Sequence, residues 1–217
     1  MRSETRTALT IAPYLAWMGL MLAMPSTAWA YASRAAVAGA LLAAFMMFAW
    51  SREKPSASQL IWGVGAGVVV CVLWIFPERF DIYRRLFIMG GDAPESAGAS
   101  PYDPAVCGWA LTVAKLFGSA FIIAPAEELF FRSFLYRWIQ GGSQNGARVD
   151  RFDLSAFLWT VALFALEHDR WLAGAMAGAI YGIIAIRKGL ASAVVAHVVT
   201  NFALGAYVIM RGEWAFW

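Results

Sequence analysis

The stretch AVCGWALTVAKLFGSAFIIAPAEELFFRSFLYR, residues 105–137, decides the fold. It stays predominantly apolar for longer than the roughly 20 residues a helix needs to cross a hydrocarbon core. Inside that run stand Lys115, Glu127, Glu128 and Arg132. An ionisable side chain at the centre of a span costs about 2.5–3.5 kcal/mol on the insertion scale, whereas a Leu returns only about 0.5 kcal/mol. Charges kept against such a gradient mark either a structural pairing or a functional site.

The rest of the chain has the same character. Of 217 residues, 61% are hydrophobic and 14% charged, with a mean hydropathy of +0.61. An ordinary soluble domain is nearer half apolar and a quarter charged. This excludes a disordered chain, a secreted disulfide scaffold and most water-soluble enzymes. Further apolar stretches run near Ala8 to Met24, Ala35 to Trp50, Gln59 to Phe76, Leu154 to Leu166, Trp171 to Ile186 and Leu190 to Met210. The predicted fold is all-α, a polytopic transmembrane helical bundle of about seven helices, within a range of six to eight, forming a single integral membrane domain over residues 1–217. Connectors are expected at Ser51 to Pro55, from Pro77 to Pro104, and at Gly141 to Gly146. Glu78 to Met89 mixes charges with Phe80, Ile82, Tyr83, Leu86 and Phe87, which suits an interfacial amphipathic helix.

Charge sets the orientation rather than a partner. The net charge is +3, but no basic block is longer than Arg84-Arg85, so no nucleic-acid surface is expected. With the N-terminus inside, Arg2, Arg6, Arg52, Lys54, Arg132, Arg137, Arg148, Arg151, Arg187 and Lys188 fall on the cytoplasmic side. Arg34, Arg79, Arg84, Arg85, Arg170 and Arg211 fall outside. That bias favours N-inside and C-outside, in what is expected to be a bacterial inner membrane. Arg2 and Arg6 before an apolar core, with Ala28-Trp29-Ala30 beyond it, also have the pattern of a signal peptide with a small-x-small cleavage site. Cys71 and Cys107 make neither a CxxC pair nor a metal-ligand spacing and read as bystander thiols.

Glu128 and Arg132 are four residues apart, about 40° around a helix, and can neutralise each other. Glu127 sits about 100° from Glu128 and about 140° from Arg132, which points it toward another neighbour or a hydrated cavity. Pro125 removes one N–H and crowds the carbonyl of Phe121, which favours an opening there. The plain alternative is that the acidic pair lies at the cytoplasmic end of the span and is solvated. The chain has two histidines, and each has a partner four positions away: Phe164 before His168 and Asn201 after His197. Helix packing by hydrogen-bonded imidazoles is one reading. The other is chemical: His197 and Asn201 offer a pair of donors to an oxyanion, and His168, within Glu167-His168-Asp169-Arg170, can share a water with a glutamate.

Other features read as structural. Gly174, Gly178 and Gly182 lie on one helical face and suit close helix packing. Trp29, Trp50, Trp171, Trp214 and Trp217 fall near span ends as interfacial anchors. Lys115 either snorkels or pairs with an acid. GxSxG is absent, and the one SxxK spacing, Ser51 to Lys54, falls in the charged connector at Ser51 to Pro55, so a serine mechanism has no support.

EELFFR at Glu127 to Arg132, FALEH at Phe164 to His168 and HVVTN at His197 to Asn201 resemble the EExxxR, FxxxH and HxxxN motifs of the CAAX protease and bacteriocin-processing family. That family includes the type II CAAX prenyl endopeptidases. The resemblance covers about Pro104 to Met210, which makes 104–210 the expected catalytic core. It implies an intramembrane glutamate endopeptidase in which Glu127 and His168 activate a water and His197 and Asn201 stabilise the oxyanion. Glu128 and Arg132 would then fix the helix, and Phe164 would shape the pocket. The implied substrate is a membrane-bound peptide or protein, lipidated or carrying a C-terminal sorting tail, cut near its C-terminus. Glu167 to Gly174 is similar to a bacterial branch found alongside exosortase sorting systems, for which a sorting tail is the implied target.

No cofactor is expected under this reading. Two alternatives remain beside it. A zinc protease would use a glutamate and the two histidines, an acceptable ligand set although no HExxH is present. A non-catalytic immunity or sorting-system subunit would keep the polar cluster for packing. A transporter is less favoured, because no paired broken helices occur in two related halves.

Overall fold

A computed structural model describes residues 3–48, 54–79, 100–141 and 149–217. The described residues form helices with no strand: α1 (Ser3–Ala23), α2 (Ala28–Phe48), α3 (Ala57–Arg79), the short α4 (Pro104–Cys107), the long α5 (Trp109–Gly141), α6 (Leu154–Leu166), α7 (Trp171–Lys188) and α8 (Leu190–Arg211). Four of them, α2, α3, α5 and α8, are long and apolar enough to cross a membrane by length and composition. With α1, α6 and α7 they make the all-α bundle expected from the hydropathy pattern.

Boundaries differ from the sequence reading where local chemistry adds to hydropathy. The first helix begins at Ser3, and the second at Ala28, seven residues before Ala35. Ala28 and Ala30 are buried in that second helix, and Thr27 accepts a hydrogen bond from the Ala30 N–H at 3.2 Å. The third helix continues through Pro77 to Arg79, past the expected break. Asp153 caps α6 by accepting from the Ala156 N–H at 2.9 Å. Gly189 separates α7 from α8 with φ at 92°, a left-handed conformation that ends one helix and starts the next. From residue 80 onward, the amphipathic helix expected over Glu78 to Met89 lies outside the described residues. So do Trp50 and most of the connector at Gly141 to Gly146.

Alanines are concentrated in the interior, and large apolar side chains cover much of the outer surface. Ala38, Ala120, Ala124, Ala156, Ala193 and Ala196 are fully or almost fully buried, while Leu22, Ile61, Trp29, Phe48, Leu166 and Met210 face outward. Lipid tails are as apolar as a Leu side chain, so helices associate through close packing and hydrogen bonds rather than by hiding apolar surface. Gly174, Gly178 and Gly182 meet α6 closely: a Cβ on Gly178 would lie 3.1 Å from Phe164 Cδ1, and one on Gly182 3.0 Å from Phe157 Cε2. A second pair of glycines, which the sequence reading did not single out, seats α3 on α8. A Cβ on Gly67 would lie 2.5 Å from the Ala196 carbonyl oxygen, and one on Gly63 2.8 Å from that of Ser192. Thr200 then donates to the Gly67 carbonyl at 3.0 Å.

Two of the basic residues used for orientation are not loop charges. Arg132 and Arg34 are both buried, 3% and 4% exposed. Each comes from a different side of the tally, so the bias toward N-inside keeps its sign. The bundle end that holds the α1–α2 turn also holds the start of α5, the α6–α7 turn and the C-terminal residues. Arg170 in that turn donates to the Ala215 carbonyl at 2.8 Å, and Trp217 lies against Tyr102, their ring centroids 6.4 Å apart.

Because the α3–α8 approach is backbone against backbone, Gly67→Ala should destabilise the bundle by about 1–3 kcal/mol. Gly65→Ala, which meets nothing within 4 Å, should leave stability unchanged. Thermal unfolding of the two variants in one detergent checks the contrast.

Candidate active site

Pro125 shapes the helix that carries the acids. Its nitrogen has no hydrogen to donate, and α5 widens on both sides of it: Ser119–Ile123 and Leu129–Leu135 are π-helical, flanking a normal turn at Ala124–Glu128. The Ala124 N–H reaches back five residues to the Ser119 carbonyl. That same carbonyl accepts from Asn201 Nδ2 at 3.1 Å, which ties α8 to the widened turn.

Glu127 and Glu128 both meet His197. Glu128 Oε1 lies 3.0 Å from His197 Nδ1 and 3.4 Å from Arg132 Nη1, while Glu127 Oε2 lies 3.6 Å from His197 Nε2. The neighbour left open for Glu127 is therefore the second nitrogen of the imidazole that Glu128 already holds. Glu128 is fully buried and Glu127 is 9% exposed. Arg132 Nη2 donates to the Gly178 carbonyl at 2.9 Å, so its guanidinium links α5 to α7 as well as to Glu128. The acidic pair is not a solvated helix end.

His168 stands in the turn between α6 and α7. Its Nδ1 lies 2.7 Å from the Phe164 carbonyl, a contact that requires Nδ1–H and leaves Nε2 with its lone pair. The Phe164 ring fixes both histidines: its centroid is 4.7 Å from that of His168 and 5.7 Å from that of His197, and the Arg132 guanidinium covers it at 4.7 Å. In this turn, outside both helices, burial pushes the His168 imidazole down to about 4 and the Glu167 carboxyl up to about 7.

A cavity of about 270 Å³ gathers the polar groups. Glu127, His168, His197 and Asn201 all line it, together with Phe164, Lys115, Ser119 and Glu167. Glu128 and Arg132 stand behind it. Single carboxylate oxygens of Glu127 and Glu167 and a ring nitrogen of His168 lie within 4.8 Å of one another, a set able to hold a cation. This set differs from the glutamate and two histidines considered from sequence, since His197 is not in it.

Several lining residues carried no signal in the sequence. Tyr181 stacks on His197 with centroids 4.6 Å apart at 23°, and Trp74 meets His168 edge-on at 5.4 Å. Both sit in featureless apolar runs. Tyr14 of α1 donates a hydrogen bond to Glu167 Oε2 and stacks on Phe130, so the first helix is part of the site. Glu167 did carry a signal, as an acid beside a histidine at a span end. Trp217 lines the cavity rather than serving only as an interfacial anchor. Lys115 neither pairs with an acid of the described residues nor snorkels out. Its Nζ lies 4.2 Å from the ring centroid of Tyr31, 4.6 Å from that of Tyr102 and 6.0 Å from that of Trp217.

Fold and cavity together define a membrane-embedded helical protein with an acid and imidazole site inside the bundle. Residues 109–203 match the family model described as Rce1-like, type II CAAX prenyl endopeptidase Rce1-like. The match takes in 95 of the 217 residues, and all three motifs, Glu127 to Arg132, Phe164 to His168 and His197 to Asn201, fall within it. The chain matches none of the curated proteins and none of the solved structures.

Arg132→Ala would strip Glu128 of its guanidinium and leave a buried carboxylate with an imidazole alone. The expected loss is about 3–5 kcal/mol. The double variant Arg132→Ala, Glu128→Ala should recover part of it, which thermal unfolding of the single and double variants would read.

Proposed function

We propose that this chain is an intramembrane endopeptidase that hydrolyses a peptide bond near the C-terminus of a membrane-associated substrate. The observation that carries the reading is the convergence of Glu127, His168, His197 and Asn201 on one cavity inside an apolar bundle. Glu127 and His168 present atoms within 4.8 Å of each other. Both residues line the cavity, and Nε2 is the ring nitrogen of His168 left over by the Phe164 contact, so in this reading a cavity water bridges the two. His168, neutral well below pH 7, accepts a proton from that water through Nε2, and Glu127 completes its activation.

The oxyanion falls to His197 and Asn201. Asn201 has a second amide hydrogen beyond the one given to Ser119. His197, with Nδ1 held by Glu128, offers Nε2–H once it carries a second proton, and Glu128 then faces the imidazolium. Phe164 and Tyr181 hold the ring in plane for this. The substrate class we favour is a membrane-anchored protein with a C-terminal sorting tail, in line with the likeness of Glu167 to Gly174 to the exosortase-associated branch. A lipidated peptide is the other class the family supports.

A second reading rests on the cation-capable set of Glu127, Glu167 and His168. In it these three residues hold a divalent metal, which would supply Lewis-acid polarisation of the water, and His197 and Asn201 keep their roles. Glu127→Gln should lower kcat by about 10²–10⁴-fold with the protein still folded. Unchanged cleavage by that variant would refute the endopeptidase mechanism. In the same assay, full activity after exhaustive chelation, with no stoichiometric metal by elemental analysis, supports the metal-free form; activity lost on chelation and restored by zinc supports the other.

We also propose an N-inside orientation in a bacterial inner membrane, which follows from the basic residues near the connectors. The cavity end, shared with Arg170 and the residues before Trp217, then faces away from the cytoplasm. A topology reporter fused after Trp217 should score as extracytoplasmic; a cytoplasmic score reverses the assignment.

A further inference from the structure

Glu127 and His168, which share the water in the reading above, stand on different elements, the first on α5 and the second in the turn between α6 and α7. α6 ends at Leu166 and α7 begins at Trp171, so residues 167–170 hold His168 outside both helices. The His168 N–H donates to the Ala165 carbonyl at 3.1 Å, and its Nδ1–H meets the Phe164 carbonyl. Both contacts are with α6 itself. Two other side chains tie the turn to the rest of the bundle. Arg170 at its far end donates to the Ala215 carbonyl, and Glu167 at its near end accepts from the Tyr14 hydroxyl of α1.

Tyr14 touches both elements. Its ring stacks on Phe130 with centroids 4.3 Å apart at 24°, and meets Phe131 edge-on at 5.5 Å. Both phenylalanines stand on α5 within the stretch Glu127 to Arg132. Its hydroxyl crosses to Glu167 Oε2, one residue before His168. A single side chain thus spans from the helix that carries Glu127 to the turn that carries His168. The link is buried, with Tyr14 6% exposed. Glu167 Oε1 has no hydrogen-bond partner, so the hold on this carboxyl falls to the Tyr14 hydroxyl. Without that donor both oxygens would be buried and unsatisfied, and the turn would gain by moving to bring them to another.

We propose that Tyr14 is a positioning residue for the hydrolysis: through Glu167 it fixes the turn that carries His168 at the separation from Glu127 at which both reach one water. This role rests on the endopeptidase reading and deepens it. It also brings α1, which precedes the residues matched by the family model, into the working site. Tyr14 acts at one remove, on the geometry of the pair and not on the reacting atoms. A misplacement of about 1 Å can cost about 10²-fold in rate, so one hydroxyl suffices for a large effect.

The chain has two histidines, which makes their ring nitrogens a direct readout. The full chain is prepared in lipid nanodiscs with isotope-labelled histidine as wild type, Tyr14→Phe, Glu167→Leu and the double variant, and the ring-nitrogen signals are recorded by NMR. A His168→Gln variant assigns them. Tyr14→Phe keeps the ring on Phe130 and Phe131 and deletes the hydroxyl. It should move the His168 signals, leave those of His197 in place as the measure of folding, and move nothing further in the Glu167→Leu background. For turnover, N-terminally palmitoylated random decapeptides are offered to the wild type, and the one cut fastest is resynthesised. Tyr14→Phe should lower kcat on it about 10–100-fold and leave KM within about twofold.

His168 signals that stay in place in Tyr14→Phe overturn the proposal, as does an effect of that substitution that is equally large with and without Glu167. Glu167→Leu tests the link from its other end, and unmoved His168 signals there overturn it as well. Signals of both histidines moving together assign Tyr14 to general packing and displace the positioning role. Cleavage with kcat unchanged in Tyr14→Phe, or with only KM raised, sinks the proposal and leaves the endopeptidase standing. No cleavage by the wild type sinks the endopeptidase and takes the proposal with it, even where the His168 signals move.

Discussion

Glu128 has no exposed surface, and the bundle is arranged around the need to satisfy it. A carboxylate withdrawn from water into an apolar interior costs several kcal/mol unless charge and hydrogen bonds meet it there. Arg132 meets it from the same helix, and His197 meets it from α8. Arg132 then spends a second donor on the Gly178 carbonyl of α7, which brings a third helix into register. Glycines at 174 and 178 let α7 come close enough to α6 for this, and Phe164 fills the space between the guanidinium and the two imidazoles. One buried charge thus fixes the mutual position of α5, α6, α7 and α8.

The same constraint explains why the second acid is left facing the cavity. With Glu128 engaged on both sides, Glu127 faces the cavity with Oε2 outside hydrogen-bond reach of any described partner. Pro125 and the π-helical turns beside it change the angular arithmetic of an ideal helix, so that adjacent glutamates approach opposite nitrogens of one ring. A strained or widened helix at a site is a common functional device. Here it also frees the Ser119 carbonyl to orient Asn201.

The residues of the site were legible to different degrees, and for physical reasons. Glu127, Glu128, Arg132, His168, His197 and Asn201 could be singled out because a polar group in a span is expensive and so informative. Tyr14, Trp74 and Tyr181 could not, since an aromatic residue in an apolar run has the same local appearance whether it faces lipid or an imidazole. Lys115 was visible as an anomaly, but the acid partner offered for it is not found among the described residues, and its ammonium turns to aromatic rings rather than snorkelling. A lysine satisfied by three ring faces, contributed by α2, the segment before α4 and the C-terminal turn, leaves no trace at helical spacing.

Composition and the run of apolar segments by themselves determined an all-α membrane bundle, because only helices satisfy every backbone group within a span. The motifs determined which helices carry the polar cluster, because four-residue spacing places two side chains on one face whatever the surroundings. Tertiary structure alone decided that Glu127 and Glu128 share His197, that α1 and α3 belong to the site, and that an unneutralised cation closes one end of the cavity. Those facts depend on which faces of distant helices meet, and in a bilayer that is set by glycine contacts and buried charge rather than by any periodicity a single segment can display.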